Sequence, residues 1–250
     1  MRTDIRIVSP YRPFEPESPS HQTLGPFDWI AALRMLAASV RASCGCETVA
    51  ITDVATALPV PAFRYPTQQS RLMLWILEVS LAYLQSDDFD RDTVFVSPDT
   101  LVLRDLRPYF GGDLTVLVRT PKKYHNRPVI NAVQWWPVAA KDRLIGFYRT
   151  ALARAQALPE HTIVWGADSE SIRQLLEPIA LGIHDRDGLQ VSMREASTIL
   201  ISISTAIMRA LDAGRPIPRL SVPIADFKGP LRKTYLAAYF EALSPSLVAS

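Results

Sequence analysis

Asp92-Thr93-Val94-Phe95-Val96-Ser97-Pro98-Asp99-Thr100 decides how this chain is read. Its β-branched and aromatic run suits a strand buried on both faces, as in the interior of a parallel sheet. Ser97-Pro98 stops that strand, because proline has no N–H for a ladder. Asp99 then stands just beyond the carboxyl end. The pattern repeats toward the N-terminus. Thr48-Val49-Ala50-Ile51-Thr52 is an apolar run with Asp53 at its end, and Asp4-Ile5-Arg6-Ile7-Val8 runs into Ser9-Pro10. Between these strands Trp29, Ile30, Leu33, Leu36, Ala37 and Val40 recur at helical spacing, and residues 70–85 form a second helix, apolar at Leu72, Trp75, Ile76, Val79 and Tyr83. Toward the C-terminus the patterns predict strands over 114–118 and 129–135, then helices over 138–157 and 165–176. Short strands follow near Gly182 and Gly188, then a helix over 196–213, a short strand over 221–224 and a last helix over 231–243. Strands alternating with helices imply an α/β fold with a mostly parallel central sheet and helices on both faces. Ligands bind such sheets outside the carboxyl ends of the strands. Ser9, Pro10, Asp53, Ser97 and Asp99 therefore mark one rim as a candidate site.

The 250 residues are 48% hydrophobic, enough for a single domain over 1–250 with a sizeable core. No apolar run is long enough to cross a bilayer, and residues 1–9 lack the layout of a secretory leader. The expectation is a cytoplasmic protein with no membrane span. The net charge of +2 does not by itself demand a nucleic-acid partner. Cys44 and Cys46 flank Gly45 and have no third cysteine to pair with, so both read as thiols in the core or at a helix end.

Phe95-Val96-Ser97-Pro98-Asp99-Thr100-Leu101-Val102 resembles the Asp-x-Asp region of GT-A glycosyltransferases. Asp99 falls on the second Asp, which in that family binds the metal and reaches the donor phosphates. Ser97 replaces the first, leaving one carboxylate where two are usual. Read without the family, Ser-Pro-Asp-Thr is equally a turn that caps a short helix. A second segment, Ile224-Ala225-Asp226-Phe227-Lys228-Gly229-Pro230-Leu231-Arg232-Lys233, resembles the late His-Phe-x-Gly loop of the glycogenin-like, retaining branch. Asp226 takes the place of the metal-binding His, and a carboxylate is an acceptable hard-metal ligand. The resemblance implies that Gly229 lets the backbone approach the diphosphate and that Lys228, Arg232 and Lys233 offer phosphate cations. Its basic residues could also be no more than a solvated turn. Val129-Ile130-Asn131-Ala132-Val133 and Trp165-Gly166-Ala167-Asp168 resemble an Asn-bearing strand and a Trp-Gly-Asp helix start. These imply that Asn131 and Asp168 line the sugar and acceptor side as the catalytic pair. Ser9, Pro10 and Tyr11 map to the base-holding strand end, Asp53 falls near the base, and Arg71 maps to a cation reaching the nucleotide.

Taken together, the resemblance implies a GT-A (Rossmann-like) domain with a nucleotide-binding half over about 1–110 and an acceptor half over about 111–250. Its function would be transfer of a sugar from a UDP-sugar to a hydroxyl acceptor, with retention of configuration. A diphosphate leaving group needs its charge neutralised, so Mn2+ or Mg2+ on Asp99 and Asp226 is the expected cofactor. Related short enzymes of phage type glycosylate hydroxymethylated DNA bases. The basic loop Lys122-Lys123-Tyr124-His125-Asn126-Arg127 would then track a DNA backbone through Lys122, Lys123 and Arg127. Two other readings remain at this point. A nucleotidyltransferase would carry a Gly-rich loop after the first strand, where Ser9-Pro10-Tyr11-Arg12-Pro13 has no glycine. A degenerate, non-catalytic domain is compatible with Ser97.

Overall fold

The computed structural model describes residues 4–13, 27–119, 128–159, 166–217 and 220–248. An eight-stranded sheet organises the fold. Its strands are β1 (Arg6–Pro10), β2 (Glu47–Thr52), β3 (Ala62–Arg64), β4 (Thr93–Val96), β6 (Leu114–Val118), β7 (Val129–Trp136), β8 (Gly182–Arg186) and β9 (Leu189–Glu195). They lie in the order β3-β2-β1-β4-β7-β6-β9-β8. The first four run parallel, β7 runs against its neighbours β4 and β6, and the pairing of β6 with β9 is again parallel. The carboxyl ends of β1, β2, β4 and β6 therefore share one rim, and β7 begins there. A second, three-stranded sheet joins β5 (Thr100–Val102), β10 (Leu200–Ser202) and β11 (Ile224–Asp226) in the order β10-β11-β5.

Helices cover both faces of the large sheet. On one side lie α2 (Leu72–Gln85), α3 (Lys141–Gln156) and α4 (Ala167–Leu176), packed on Val8, Val49, Ile51, Phe95 and Trp136. On the other lies α1 (Trp29–Cys44), whose Leu33, Leu36 and Val40 meet Ile7, Ala50, Val94 and Trp135. Neighbouring residues such as Ile7 and Val8 go to opposite cores because side chains alternate along a strand. Each fully buried leucine or phenylalanine contributes about 1.5–3 kcal/mol by leaving water. α1 starts at Asp28, which accepts from the Ala31 amide at 2.8 Å, and stops at Gly45, whose φ of 65° is the left-handed conformation of a helix end. Cys44 closes α1 in the core and Cys46 is half-buried. A third cluster, with Leu101, Ala225, Phe227, Leu236 and Tyr239, joins the small sheet to α5 (Thr205–Asp212) and α7 (Leu236–Val248), and the one-turn α6 (Pro230–Lys233) precedes α7 in the chain.

Three expectations need correction. Residues 196–213 are not one helix. A 3-10 turn leads into β10, and only Thr205–Asp212 is helical. Ile199, Ile201 and Ile203 are β-branched and fit a pleated ladder better than a helix. The short strand near 221–224 lies later, so that Asp226 is its last residue. Thr100–Val102 is also a strand rather than a helix cap, because it finds β11 across the chain. The 182 and 188 strands are the hairpin β8–β9.

β7 carries an irregularity that shapes the site. Val116 of β6 pairs with Gln134, but the next residue, Leu117, pairs with Ile130, so extra residues bulge out of β7. The bulge switches the alternation. Ile130 and Ala132 before it, and Val133 and Trp135 after it, all face the α1 side, whereas Val129 and Trp136 face the α2–α4 side. Asn131 and Gln134, three apart, thereby reach each other across the same face.

Candidate functional site

The small sheet brings the two motif segments together. Asp226 pairs with Thr100 in the ladder, and the Phe227 amide donates to the Asp99 carbonyl at 3.0 Å. Asp99 and Asp226 therefore converge at the rim. Asp226 is 3% exposed and accepts from the Ser202 hydroxyl at 3.0 Å. Burial, and then repulsion by Asp99, push its carboxyl up to about 6, against the pull of Lys228 and Arg119. The Lys233 ammonium lies 3.7 Å from Asp99 Oδ2. It sits over the rings of Trp29 at 4.2 Å and Phe27 at 5.6 Å, a cation held on aromatic faces. Burial lowers its pKa, while Asp99 and Asp226 oppose that. Lys228 is exposed, and its charge acts on both Asp226 and Asp168. Gly229 has φ 92°, and nothing stands within 4 Å of the place a Cβ would take. The glycine satisfies a backbone conformation closed to most residues and leaves open space beside the loop. Arg232 is turned away, its guanidinium donating to the carbonyls of Ile203 at 3.0 Å and Lys228 at 3.4 Å.

Ser97 donates its amide to the Ala132 carbonyl at 2.8 Å and accepts from the Thr100 hydroxyl at 2.7 Å through its own carbonyl. This turn fixes where Asp99 leaves β4. Beneath it, Asn131 Nδ2 donates to Asp168 Oδ2 at 2.7 Å. Asp168 is in the first turn of α4, 5% exposed, and its Oδ1 is buried with no hydrogen-bond partner. Burial raises its pKa, and the Asn131 bond, the nearby Ser169 amide and the Lys228 charge work the other way. An unpaired oxygen in so dry a place is costly, and such orphans cluster where a ligand completes the bonding.

The β1–β2 end of the rim is built differently. Ser9 is fully buried with an unpartnered hydroxyl, Pro10 ends β1, and the Tyr11 amide donates to the Ile51 carbonyl at 2.9 Å. Burial raises the Tyr11 phenol, with Asp28 and Asp53 adding to it. Asp53 spends its carboxylate on its own turn. Oδ1 takes the amides of Ala55 at 2.8 Å and Thr56 at 2.7 Å, and Oδ2 takes the Thr56 hydroxyl at 2.8 Å. Arg71 is the residue before α2, half-buried, and its amide donates to the Gln69 side chain at 3.1 Å. Arg12, Arg119, Ser202, Trp29, Gln134 and Tyr148 escaped the sequence reading of the site. Arg12 stacks on Trp75 at 5.5 Å beside Asp53. Arg119 follows β6 at the rim and its charge acts on Asp226. Trp165, Lys122, Lys123, His125 and Arg127 lie outside the described residues.

The donor set suits a divalent ion that keeps most of its other positions for phosphate oxygens and water. Two carboxylates repel each other there, only partly offset by Lys228, Lys233 and Arg119, and magnesium sites are often built from one or two carboxylates plus substrate phosphates. Among the described residues no group of three or more His, Cys, Asp and Glu gathers to hold a metal without a ligand.

No protein-family model and no curated protein matches this sequence. Solved structures do resemble it. One is a glycosyltransferase involved in the glycosylation of the major capsid of PBCV-1, with a TM-score of 0.59 at 9% identity, covering 94% of this chain and 99% of that one. Another is the glycosyltransferase GlyE of Streptococcus pneumoniae TIGR4, with a TM-score of 0.54 at 10% identity, covering 99% of this chain and 64% of that one. At such low identity the likeness establishes the fold: a GT-A, Rossmann-like mixed sheet flanked by helices. No helix among the described residues is long and apolar enough to cross a membrane.

Proposed function

We propose that this chain is a glycosyltransferase that moves a sugar from a nucleoside-diphosphate donor, a UDP-sugar, to a hydroxyl acceptor with retention of configuration. One observation carries the reading. Asp99 and Asp226, far apart in sequence, meet at the carboxyl rim with Lys233 at 3.7 Å from one and Lys228 facing the other. A pyrophosphate is the ligand whose charge such a mixed set of carboxylates and ammonium groups grips. Mn2+ or Mg2+ held by Asp99 and Asp226 would supply Lewis-acid stabilisation of the leaving diphosphate. Lys228 and Lys233 share that task as the bond from the anomeric carbon to the diphosphate oxygen breaks. The diphosphate leaves with the bonding electrons, the acceptor oxygen forms the new bond, and its proton passes to solvent. Gly229 leaves room for the phosphates, and Ser9, Pro10, Tyr11 and Arg12 face the nucleoside. Asn131 and Asp168 stand on the sugar side of Lys228.

The test is calorimetry with UDP and UDP-glucose, with and without manganese. Binding that strengthens with manganese supports the reading. No binding of UDP or UDP-glucose under either condition overturns the UDP-sugar reading and leaves the degenerate, non-catalytic domain in its place. A DNA-base acceptor has no support from the described residues. A salt-sensitive gel shift with duplex DNA, lost when Lys122, Lys123 and Arg127 are changed to alanine, is its test.

A further inference from the structure

Behind the sugar side of the rim lies a line of buried polar groups that the proposed reaction has not used. The Trp136 indole Nε1 donates to both Gln134 Oε1 and the Tyr148 hydroxyl at 3.1 Å. The Tyr148 hydroxyl donates to Gln134 Oε1. Gln134 Nε2 donates to Asn131 Oδ1, and Asn131 Nδ2 donates to Asp168 Oδ2 at 2.7 Å. Gln134, Trp136 and Tyr148 are each no more than 1% exposed.

The direction of this chain is not arbitrary. An indole can only donate. Trp136 therefore requires an oxygen from Gln134, which turns the Gln134 amide nitrogen to Asn131. That in turn requires the Asn131 oxygen to face Gln134 and its nitrogen to face Asp168. Either amide reversed alone would set like groups against each other in a buried place, at the full cost of unmade hydrogen bonds. Asp168 must then present a bare oxygen at Oδ2. Its only other oxygen is Oδ1, buried and without a partner. The β7 bulge is what makes the line continuous, since it places Asn131 and Gln134 on one face.

We propose that Gln134, oriented by Trp136 and Tyr148, is a positioning residue that fixes the direction of hydrogen bonding through Asn131 and so reserves Asp168 Oδ1 for a hydroxyl of the bound sugar. The assignment of the hydroxyl to a sugar rests on the glycosyltransferase reading; the relay itself does not. Burial already favours a proton on Asp168, and the relay confines that proton to Oδ1. The groups that face Asp168 are Lys228 from the loop after β11, Tyr148 from α3, Asn131 from β7 and the amides of its own helix turn.

The test uses the full chain, 15N-labelled, followed by NMR from pH 4 to 9. The Trp136 indole signal is assigned with Trp136→Phe. Ionisation of Asp168 should be felt at the Asn131 and Gln134 side-chain amides and at the Trp136 indole with one common midpoint. Asp168→Asn should remove the step everywhere. Gln134→Met, close in volume, should remove it at Trp136 and keep it at Asn131. A flat Trp136 signal in the unaltered chain overturns the relay, as does a step at Trp136 that survives Gln134→Met. The first of these holds even where the variant does not fold. UDP-glucose, and not UDP, should move the shared midpoint. An intact relay that responds to neither while both bind overturns the sugar-hydroxyl assignment. Failure of UDP-glucose and UDP to bind at all, with the relay intact, overturns the hydroxyl assignment together with the transferase reading and leaves the relay standing.

Discussion

Asp53 and Asp226 are both aspartates at the rim of a sheet, and they live in opposite conditions. Asp53 closes a turn on itself, with both oxygens taken by residues two and three positions on. Burial works against its charge, yet the Thr56 and Ala55 bonds and the Arg12 guanidinium bring its pKa below the ordinary value. Asp226 has one hydroxyl from Ser202, is buried, and is crowded by a second carboxylate from another part of the chain. The first carboxylate is satisfied by its own neighbours and holds the loop. The second is held in discomfort by the fold, and such frustration is what makes Asp226 a candidate site residue whose missing charge would come from a ligand. Strand-end position alone does not separate the two.

The largest effect that would break this contrast is catalytic. Asp99→Asn should lower kcat for sugar transfer about 10²–10³-fold, the size seen when a preorganised electrostatic group is removed. It should leave the thermal unfolding temperature nearly unchanged, and turnover within twofold of the unaltered chain would refute the role. Next comes stability. The folded form of Asp226 holds its proton up to about 6, while the unfolded carboxyl releases it near 3.8. Raising the pH through that window therefore costs stability, and the cost is complete above it. Asp226→Asn, although inactive, should be more stable than the parent at pH 8 by up to ~3 kcal/mol, with the gain vanishing near pH 4. Urea unfolding at the two pH values checks it, and an equal difference at both would sink the repulsion argument. Smaller again, Lys233→Met should weaken UDP binding by roughly tenfold, about the worth of one charge-assisted hydrogen bond. Calorimetry reads that directly. The smallest effect sharpens the contrast from the other side. Asp53→Ala should cost about 1 kcal/mol of stability, as for a lost cap, and change turnover less than about threefold. A hundredfold loss would move Asp53 into the site.

Strand ends were readable because a strand's stop is written locally: Ser9-Pro10, Thr52-Asp53 and Ser97-Pro98 each couple an apolar run to a breaker. What escaped is set by pairing across distance. Thr100–Val102 reads as a turn until Ile224–Asp226 lies beside it. Ser202 sat within a stretch read as helix, where its hydroxyl had no reason to meet Asp226. The bulge in β7 depends on register with β6 and has no local sign. Gln134 did carry a signal: it is the polar residue in Ala132-Val133-Gln134-Trp135-Trp136, an otherwise apolar run, and a buried amide needs partners. Tyr148 had no such mark, being one aromatic on a helix whose buried stripe also contains Leu144 and Ala151.

The ladder between β5 and β11 also bears on synthesis. While the chain emerges from a ribosome, Asp99 is made long before Asp226, and the two stay apart until the last strand arrives to stitch them. Over that interval the parallel half of the large sheet can form, yet the proposed pyrophosphate grip cannot. On the proposed function, the newborn protein is a platform without hands, and nucleotide could hasten its final closure only once the late loop is out.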